Sequence, residues 1–331
     1  MPVQSSGIAV LALAIVVCAL ARIAVGPVAD DGAMRLALSV PTGEVLALRV
    51  GAVGSAALLG AALGLSGLAL QTLLRNPLAS PFVLGVSSGA GFGVALVLAA
   101  GYLLAVPAVS FGGEVAGAVV GALATLALVS WLGRGRAAGG GHGGAEAGDP
   151  TTLVLSGVIV GSIFSAGTML VEQLVPYGLR GDLLSWMAGR LPEIPSRAAF
   201  WTLAAAVAGG ALALASQARA LDVAALSDDE AASTGVDLRA LRRRLFQVGG
   251  VLAAVAVAYA GPIGFVGLIG PHLARRLVGA SHARLVPAAA LAGAAILVAA
   301  DAARQVIDLG TGRLPVGVVT ALAGGPVFLW L

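Results

Sequence analysis

Residues 261–276 read Gly-Pro-Ile-Gly-Phe-Val-Gly-Leu-Ile-Gly-Pro-His-Leu-Ala-Arg-Arg, an apolar run broken by four glycines and two prolines and closed by an arginine pair. Helices of water-soluble proteins rarely tolerate so many breakers. In a membrane bundle, glycines let helices approach closely, and irregular backbone persists where it is buried in protein or lines a cavity. The run therefore predicts a broken helix beside a path through a bilayer. Its breaking residues are Gly261, Pro262, Gly264, Gly267, Gly270 and Pro271.

Composition extends the membrane interpretation to the whole chain. Of 331 residues, 59% are hydrophobic and 11% are charged, whereas soluble domains carry roughly 25% charged residues. The apolar runs are continuous and about twenty residues long, which favours helices over a transmembrane β-barrel. We expect an all-α, polytopic helical bundle that forms a single transmembrane domain over 1–331. The expected spans are 7–25, 44–68, 82–103, 108–132, 151–175, 197–216, 245–261, 263–280, 285–303 and 314–331.

Arginine placement predicts the orientation of the bundle. The clusters 242–244 and 275–276 fall on the same side of the expected topology. Because positively charged loops stay inside, both termini are expected in the cytoplasm. The first apolar segment has no basic residue before it and no clear cleavage site after it, so we interpret it as a retained helix rather than a signal peptide.

The chain contains no lysine, since all nineteen of its Lys and Arg positions are arginine. A P-loop needs lysine to bind phosphates, and a Schiff base needs it as the nucleophile. Neither chemistry is therefore expected here, and ATP used by the P-loop route would be hydrolysed by another subunit. An intramembrane enzyme would need a nucleophile with a base or a metal pair, and the sequence shows no such arrangement, so no catalytic residue and no cofactor are expected in this chain. The histidines at 142, 272 and 282 share no ligand spacing, so no metal site is predicted. The arginines indicate topology rather than a nucleic-acid partner.

Two polar segments interrupt the apolar pattern. The glycine-rich segment at about 133–149 is of low complexity and predicts a flexible cytoplasmic loop. The segment 226–244 has helix-forming composition: Ser227 is a candidate N-cap with Glu230 at the capping-box position, and Gly235 can end the helix. A second helix is expected from Val236 onward and carries Arg239. The segment is either a handle for a partner or a solvated connector.

Small residues recur at four-residue spacing within several spans. On a helix this spacing forms a flat stripe that permits close contact with a neighbour. Such stripes suit either a moving helix interface or static packing. They comprise Gly60/Gly64, Gly113/Gly117/Gly121 and Gly157/Gly161/Ser165.

Six ordered segments together resemble the FecCD-type permeases of bacterial ABC importers for ferric siderophores, haem and cobalamin. They are 64–71, 75–91 with its Asn-Pro-Leu loop, 155–166, 226–244, 261–276 and 314–328. The resemblance covers about 43–331. It implies the fold of a type II ABC importer permease in a bacterial inner membrane. The permease would pair with an identical subunit or a paralogue, above two cytoplasmic ATPases that bind ATP and Mg and below an extracytoplasmic binding protein, and would transport by alternating access.

The resemblance also implies roles for individual positions. Those expected to couple to the ATPase are Ser227, Asp228, Glu230, Ala231, Ser233, Gly235, Val236 and Arg239. Those expected at the cytoplasmic gate are Asn76, Leu78, Thr151 and Thr152. Those expected to dock the binding protein are Arg49, Arg304 and Arg313, because arginine grips carboxylates with two hydrogen bonds.

Some of these positions have a simpler alternative or depart from the family. Asn76 also suits an ordinary Asn-Pro turn, and Arg304 can pair locally with Asp301. The stretch ending at Arg49 lacks the family's first arginine and proline. Arg313 stands where the family often has glutamate. Relative to the family, the expected docking surface thus loses one cation and gains another.

The sequence leaves one rival transport mechanism. A carrier driven by an ion gradient would favour acidic residues near mid-membrane. Glu114 and Asp301 lie near span ends, and Glu172 lies about one turn from the outer end of the fifth span. Their placement counts against such a carrier and favours the ABC importer. Among the cargoes that the resemblance implies, a ferric siderophore is favoured as the commonest in the family, with haem or cobalamin as the alternatives.

Overall fold

The fold is a bundle of membrane-length helices with one small β-hairpin. The computed structural model describes residues 2–30, 33–38, 41–104, 111–135, 150–192, 194, 196–225, 228–307 and 314–330. The helices are α1 Pro2–Ala24, α2 Gly43–Leu74, α3 Val86–Leu103, α4 Phe111–Gly135, α5 Pro150–Leu174, α6 Tyr177–Met187, α7 Arg197–Ala215, α8 Ala218–Ala224, α9 Asp228–Ser233, α10 Leu238–Ala260, α11 Val266–Val278, α12 His282–Val306 and α13 Val316–Trp330. The strands are β1 Val25–Asp30 and β2 Ala33–Leu38, and a 3₁₀ turn occupies Pro81–Leu84.

The predicted number of spans agrees with the helices that the structure contains. Eight described helices are long and apolar enough to cross a membrane: α1, α2, α3, α4, α5, α7, α10 and α12. The shorter helices α11 and α13, of 13 and 15 residues, follow the remaining two predicted spans. The prediction of an all-α, polytopic bundle is therefore confirmed.

Helix α2 is the centre of the bundle and packs closely against α12. Its 32 residues run well past the predicted span of 44–68. Six of its leucines are among the largest fully buried side chains: Leu59, Leu63, Leu65, Leu68, Leu70 and Leu73. A Cβ on Gly60 would overlap the Gly293 carbonyl, and one on Gly64 would overlap the Ala289 carbonyl. Backbone therefore meets backbone along this pair, as small residues permit in membranes.

The other predicted glycine stripes also pack against neighbouring backbone. A Cβ on Gly117 would lie 2.6 Å from the Gly93 carbonyl oxygen, and Gly121 approaches the Gly89 carbonyl across the same α3–α4 contact. On α5, a Cβ on Gly157 would lie 2.5 Å from the Val83 carbonyl oxygen. These contacts leave no room for a methyl group, so in this structure the stripes serve close packing.

The connector between α9 and α10 differs from its prediction. The sequence predicted a helix from Val236 onward that carries Arg239 and the arginines at 242–244, and it predicted a span at 245–261 without joining the two. Instead α10 is continuous over Leu238–Ala260, and the Asp237 side chain caps it by accepting a hydrogen bond from Ala240 N at 3.0 Å. No glycine or proline interrupts its first turns. The arginines therefore begin the spanning helix itself.

Two elements at the end of the bundle that carries the hairpin were not predicted. Strands β1 and β2 pair antiparallel, with Val25 opposite Leu38 and Asp30 opposite Ala33. Helix α6 lies between α5 and α7. We call this the hairpin end, and the opposite end, where α8 and α9 connect α7 to α10, the α8 end.

Candidate functional site

The predicted break lies between α10 and α11. Helix α10 ends at Gly261, whose φ is 71° and ψ is −175°, a conformation that suits only glycine. Helix α11 starts after Phe265, which also has a positive φ of 66°. Since 13 residues of α11 rise only about 20 Å, against a hydrocarbon layer of about 30 Å, the break lies at membrane depth.

The six predicted breaking residues divide into two groups. Gly261, Pro262 and Gly264 lie in the break, but Gly267, Gly270 and Pro271 lie inside α11, where the prediction of a break is wrong. Pro271 cannot donate a hydrogen bond to the Gly267 carbonyl one turn earlier. That carbonyl instead lies against Gly67 of α2, where a Cβ would overlap it. Close packing on α2 therefore accommodates the proline.

Three glycines from separate elements hold the break, and we call them the glycine junction: Gly189, Gly261 and Gly317. Arg190 N donates to Ala260 O at 2.7 Å, and Gly317 N donates to Gly189 O at 3.1 Å. A Cβ on Gly189 would overlap the Pro262 carbonyl, and Gly189 also has a φ of 75°. Sequence analysis missed Gly189 and Gly317 because they are far from the break along the chain.

The expected gate residues lie at the α8 end. In the loop after α2, Asn76 Oδ1 accepts a hydrogen bond from Leu78 N at 2.9 Å, which is the Asn-Pro turn left open as an alternative. The Leu78 side chain is 60% exposed. Thr151 and Thr152 lie in the first turn of α5, the former exposed and the latter buried. The structure thus places the four expected gate residues at the α8 end of the bundle, two on the loop after α2 and two on α5.

The expected coupling segment forms a short helix that projects from the α8 end. Helix α9 covers Asp228–Ser233, and Gly235 follows with a φ of 80°. Ala231 is fully buried and anchors α9. The exposed positions are Glu230, Ser233, Gly235 and Arg239, with Val236 half-buried. Ser227 lies outside the described residues, as do Arg313 and positions 136–149 of the expected loop.

A polar contact that sequence analysis missed fastens α8 to α12 and α2. Asp222 Oδ1 of α8 accepts from His282 N at 2.8 Å and lies 2.7 Å from His282 Nδ1. The same imidazole places Nε2 3.2 Å from Thr72 Oγ1 of α2. Burial alone would raise the pKa of Asp222, but the hydrogen bonds from His282 outweigh it, so this pKa lies below its usual value. Helix α8, which leads into the coupling segment, is therefore tied to two spanning helices.

A cavity of about 510 Å³ opens beside this contact, between the ends of α2 and α11 and the start of α12. We call it the arginine cavity. Its lining includes Arg75, Arg275, Arg276, Gln71, His272 and His282. Arg275 Nη1 donates to Gln71 Oε1 at 2.5 Å, and Gln71 Nε2 donates to Leu268 O at 3.2 Å. The buried Gln71 amide thus fixes the Arg275 guanidinium at the wall of this cavity.

The hairpin end carries a different group of arginines, which we call the buried triad: Arg22, Asp301 and Arg304. Asp301 is fully buried and accepts from Arg22 Nε at 2.6 Å and from Arg304 Nε at 2.5 Å. The local Arg304–Asp301 pair is the alternative that the sequence left open. The triad joins α1 to α12 across 279 residues of sequence.

Two expected docking arginines are not placed for docking in this structure. Arg304 is only 5% exposed within the buried triad. Arg49 is 8% exposed, its Nη1 donates to Ile23 O at 2.5 Å, and strand β1 covers its guanidinium at Gly26. A bidentate grip on a partner carboxylate needs an accessible guanidinium. The folding of α1 and β1 over these side chains removes that access.

The hairpin end also holds a second cavity, of about 470 Å³, between α4, α6 and the end of α10. Glu114, Asp182, Arg190 and Tyr259 line it. The Tyr259 hydroxyl donates to Ser55 Oγ at 2.8 Å and ties the cavity wall to α2. The glycine junction lies directly beside this cavity through Arg190 and Ala260.

Comparison with known proteins identifies the bundle. The sequence model described as the FecCD transport family matches residues 14–331. The chain belongs to the FecCD transport family. This confirms the resemblance found in the six ordered segments, and with it the assignment as an ABC transporter permease that spans the membrane several times.

Two relatives and one solved structure place the permease within the family. It is 34% identical over 286 residues to the hemin transport system permease protein HmuU of Yersinia pestis, covering 86% of this chain and 82% of the relative. It is 36% identical over 305 residues to the cobalamin import system permease protein BtuC of Halobacterium salinarum, covering 90% and 76%. An inward-facing ABC transporter assigned to the metal-chelate type has a TM-score of 0.82 and 29% identity, covering 98% of this chain and 97% of that one.

Proposed function

We propose that this FecCD permease is the membrane-spanning subunit of an ABC importer that carries a metal chelate into the cytoplasm. The observation that carries the proposal is the exposed helix α9, held between two spanning helices and ended by Gly235. A rigid helix in this place transmits the movement of a cytoplasmic partner, whereas a loop would absorb it. The relatives named for hemin and cobalamin support a bulky metal chelate as cargo; a ferric siderophore belongs to the same chemical class.

The mechanism that follows is alternating access without chemistry in this chain. Two ATPase subunits would bind ATP and Mg below the α8 end, and their closure would push α9. The tie from Asp222 to His282 and Thr72 would pass that displacement to α12 and α2. A second permease subunit, identical or a paralogue, would complete the path, and an extracytoplasmic protein would deliver the cargo at the hairpin end. The α8 end, with its arginine clusters, would face the cytoplasm.

The glycine junction supplies the passive part of this mechanism. Backbone contacts at Gly189, Gly261 and Gly317 fix the break without a side chain that could bind cargo. A path with few fixed charges would release a bulky chelate instead of trapping it. We therefore assign positioning rather than ligand binding to the break.

The decisive experiment is purification of the tagged permease from its native membrane in mild detergent, with identification of co-purifying chains and an ATPase assay. Recovery of a P-loop ATPase with about one copy per permease is expected, with hydrolysis inhibited by vanadate. The complex should then import hemin, cobalamin or a ferric siderophore in proteoliposomes when ATP and the binding protein are supplied. A permease that transports alone, driven by an ion gradient, would overturn the proposal.

The coupling role of α9 has its own test in Gly235→Val. A β-branched residue is strained at a φ of 80°, so the helix end should reorganise. We expect ATP hydrolysis to continue while transport per ATP falls about tenfold. Gly43→Val is the matched control, because Gly43 has a φ of 57° and open space around it, as Gly235 does, but lies at the hairpin end. Normal transport by Gly235→Val would contradict the assignment of α9.

A further inference from the structure

We propose that His282 is a positioning residue whose protonation controls how tightly α8 is held against α12 and α2. The protonated ring bonds to both neighbouring helices, and loss of its proton removes one donor from this contact. Because α8 leads into α9, the inference rests on the proposed function, in which α9 receives the movement of the ATPases. The acidity of the cytoplasm would then regulate how well ATP hydrolysis is coupled to transport.

The hydrogen bonds around His282 determine where protons must lie. Thr72 Oγ1 donates to Leu68 O at 2.9 Å, which uses the one proton of this hydroxyl. The same oxygen lies 3.2 Å from His282 Nε2, so a hydrogen bond there needs a proton on Nε2. On the other side of the ring, Nδ1 lies 2.7 Å from Asp222 Oδ1, and an ionised carboxylate can only accept, so this bond needs a proton on Nδ1. All three bonds exist together only when the imidazole carries two protons.

Loss of one proton from His282 leaves this network short of a donor. With the remaining proton on Nδ1, facing the Asp222 carboxylate, Nε2 can only accept a hydrogen bond. Thr72 must then turn its hydroxyl from Leu68 O to the ring, or the contact between the ring and α2 is not made. The bond to Asp222 also weakens, because an imidazolium donates more strongly than a neutral imidazole. The contact is therefore tighter below the folded-state pKa of His282, and it loosens as the pH rises through that pKa.

The surroundings of His282 both favour and oppose its positive charge. The residue is only 5% exposed, and burial disfavours the charged form. The carboxylate of Asp222 favours that form, whereas nearby guanidiniums disfavour it. Because these effects oppose one another, the charge of the ring is sensitive to pH in the region of the ordinary histidine pKa, about 6.5. The described titratable groups on the surrounding helix segments are Arg219 and Asp222 on α8, Arg75 on α2, His272, Arg275 and Arg276 on α11, and Arg284 on α12 itself.

Protons can reach this contact from the aqueous side of the bundle. His282 is the first residue of α12 and lines the arginine cavity, which opens at the α8 end. The side chain of Asp222 is 39% exposed. In the proposed orientation the α8 end faces the cytoplasm. The ring would therefore follow the pH of the compartment in which the ATPases bind.

The first experiment measures the contact itself, by hydrogen–deuterium exchange of α8 in the purified full-length permease at pH 6 and pH 8. Protection factors are corrected for the intrinsic pH dependence of amide exchange. We expect the protection factor of α8 to be about fivefold higher at pH 6, the usual effect of one hydrogen bond. In His282→Gln, which has a polar side chain but no titrating ring, protection should be the same at both pH values. Thr72→Val, which removes the hydroxyl and keeps the shape, should reduce the difference and serves if His282→Gln does not fold.

The matched control is His272→Gln, which removes the other histidine that lines the cavity. Its Nε2 is buried and makes no hydrogen bond to the described part of the chain. This variant should therefore keep the pH dependence of the wild type. The proposal is overturned if α8 of the wild type is equally protected at both pH values, or if His272→Gln abolishes the difference as fully as His282→Gln does.

The second experiment measures import per ATP by the complete transporter in proteoliposomes, with hemin and cobalamin as cargoes and the pH varied on the ATPase side. We expect about threefold more import per ATP at pH 6 than at pH 8 in the wild type and in His272→Gln, because part of the free energy of one hydrogen bond acts on coupling. His282→Gln should show no difference. Protection that changes with pH while import per ATP does not would overturn the positioning role. Import of neither cargo, with pH-dependent protection intact, would instead contradict the proposed function and leave the proton-dependent contact established.

Discussion

Both ends of this bundle contain arginines whose side chains are buried or partly buried, but the groups that hold these arginines differ. At the hairpin end, Asp301 lies between Arg22 and Arg304 and accepts a hydrogen bond from each, and the group is closed to solvent. At the α8 end, Arg275 faces a cavity and is held by the amide of Gln71. The residue type is the same, but within the described residues the printed partner of Arg275 is a neutral amide, whereas Arg22 and Arg304 share a carboxylate. The carboxylate makes the two arginines of the buried triad structural, and the amide fixes Arg275 without balancing its charge.

Removing the internal carboxylate should have the largest effect. Asp301→Ala leaves two buried cations without their acceptor, which costs about 3–5 kcal/mol of folding free energy. We expect a large drop in the unfolding midpoint of the purified chain in detergent, measured by denaturant titration. α1 should also become more protease-sensitive, since Arg22 ties it to α12.

The control for that experiment is Arg304→Met, which keeps the Arg22–Asp301 pair and the buried volume. Because one cation still balances the carboxylate, the loss should be clearly smaller than for Asp301→Ala. Equal losses in the two variants would show that packing, and not charge balance, holds the triad together.

Converting the α8 end to the hairpin-end arrangement should have an intermediate effect. Gln71→Glu places a carboxylate where the Gln71 amide now accepts from Arg275. The new ion pair should balance the charge of Arg275 and raise the unfolding midpoint of the purified chain in detergent, by less than the loss expected for Asp301→Ala. Gln71→Leu, which removes the amide without adding charge, is the comparison and should lower the midpoint. If Gln71→Glu unfolded at a lower midpoint than wild type, the contrast between the two ends would not rest on counter-charge.

The smallest effect is expected at Asp222, because the carboxylate that accepts hydrogen bonds from His282 is partly exposed. Its folded-state pKa is lowered, so its carboxylate stabilises the fold above the unfolded-state pKa of about 3.9, and that contribution is lost as the pH falls through the folded-state value. Because the side chain is 39% exposed, the contribution should stay below about 1 kcal/mol. Unfolding midpoints between about pH 6 and pH 3 should fall less steeply for Asp222→Asn than for wild type. Identical slopes would contradict the tie between α8 and α12.

The sequence patterns were most accurate for elements that depend on residues close together in the chain. The span expected at 197–216 is helix α7 Arg197–Ala215, because an unbroken apolar run of that length has one stable form in a bilayer. The short helix before Gly235 was also predicted, since a glycine at a helix end acts through its own backbone. The continuity of α10 could have been found from Leu241 and Leu245, which are spaced for one helix face and are both buried.

The features that were missed depend on residues that are distant in sequence. Nothing near Arg304 shows that Arg22 also binds Asp301, and nothing near Gly261 shows that Gly189 and Gly317 pack around it. The burial of Arg49 follows from strand β1, whose hairpin carries no strong alternating pattern. The resemblance to a family supplied the expected docking role, but only the three-dimensional packing showed which arginines are accessible.

The glycine contact between α2 and α12 holds the two helices together as one rigid unit. With backbones touching at Gly60, Gly64 and Gly293, neither helix can slide or rotate past the other without a steric collision. Helix α2 alone, at 32 residues, is about 48 Å long and exceeds the hydrocarbon thickness. A displacement at Thr72 near one end of α2 should therefore move Arg49 near the other end as part of the same rigid unit. Bending of the subunit is therefore expected in other segments, such as 261–265, where the backbone is not helical.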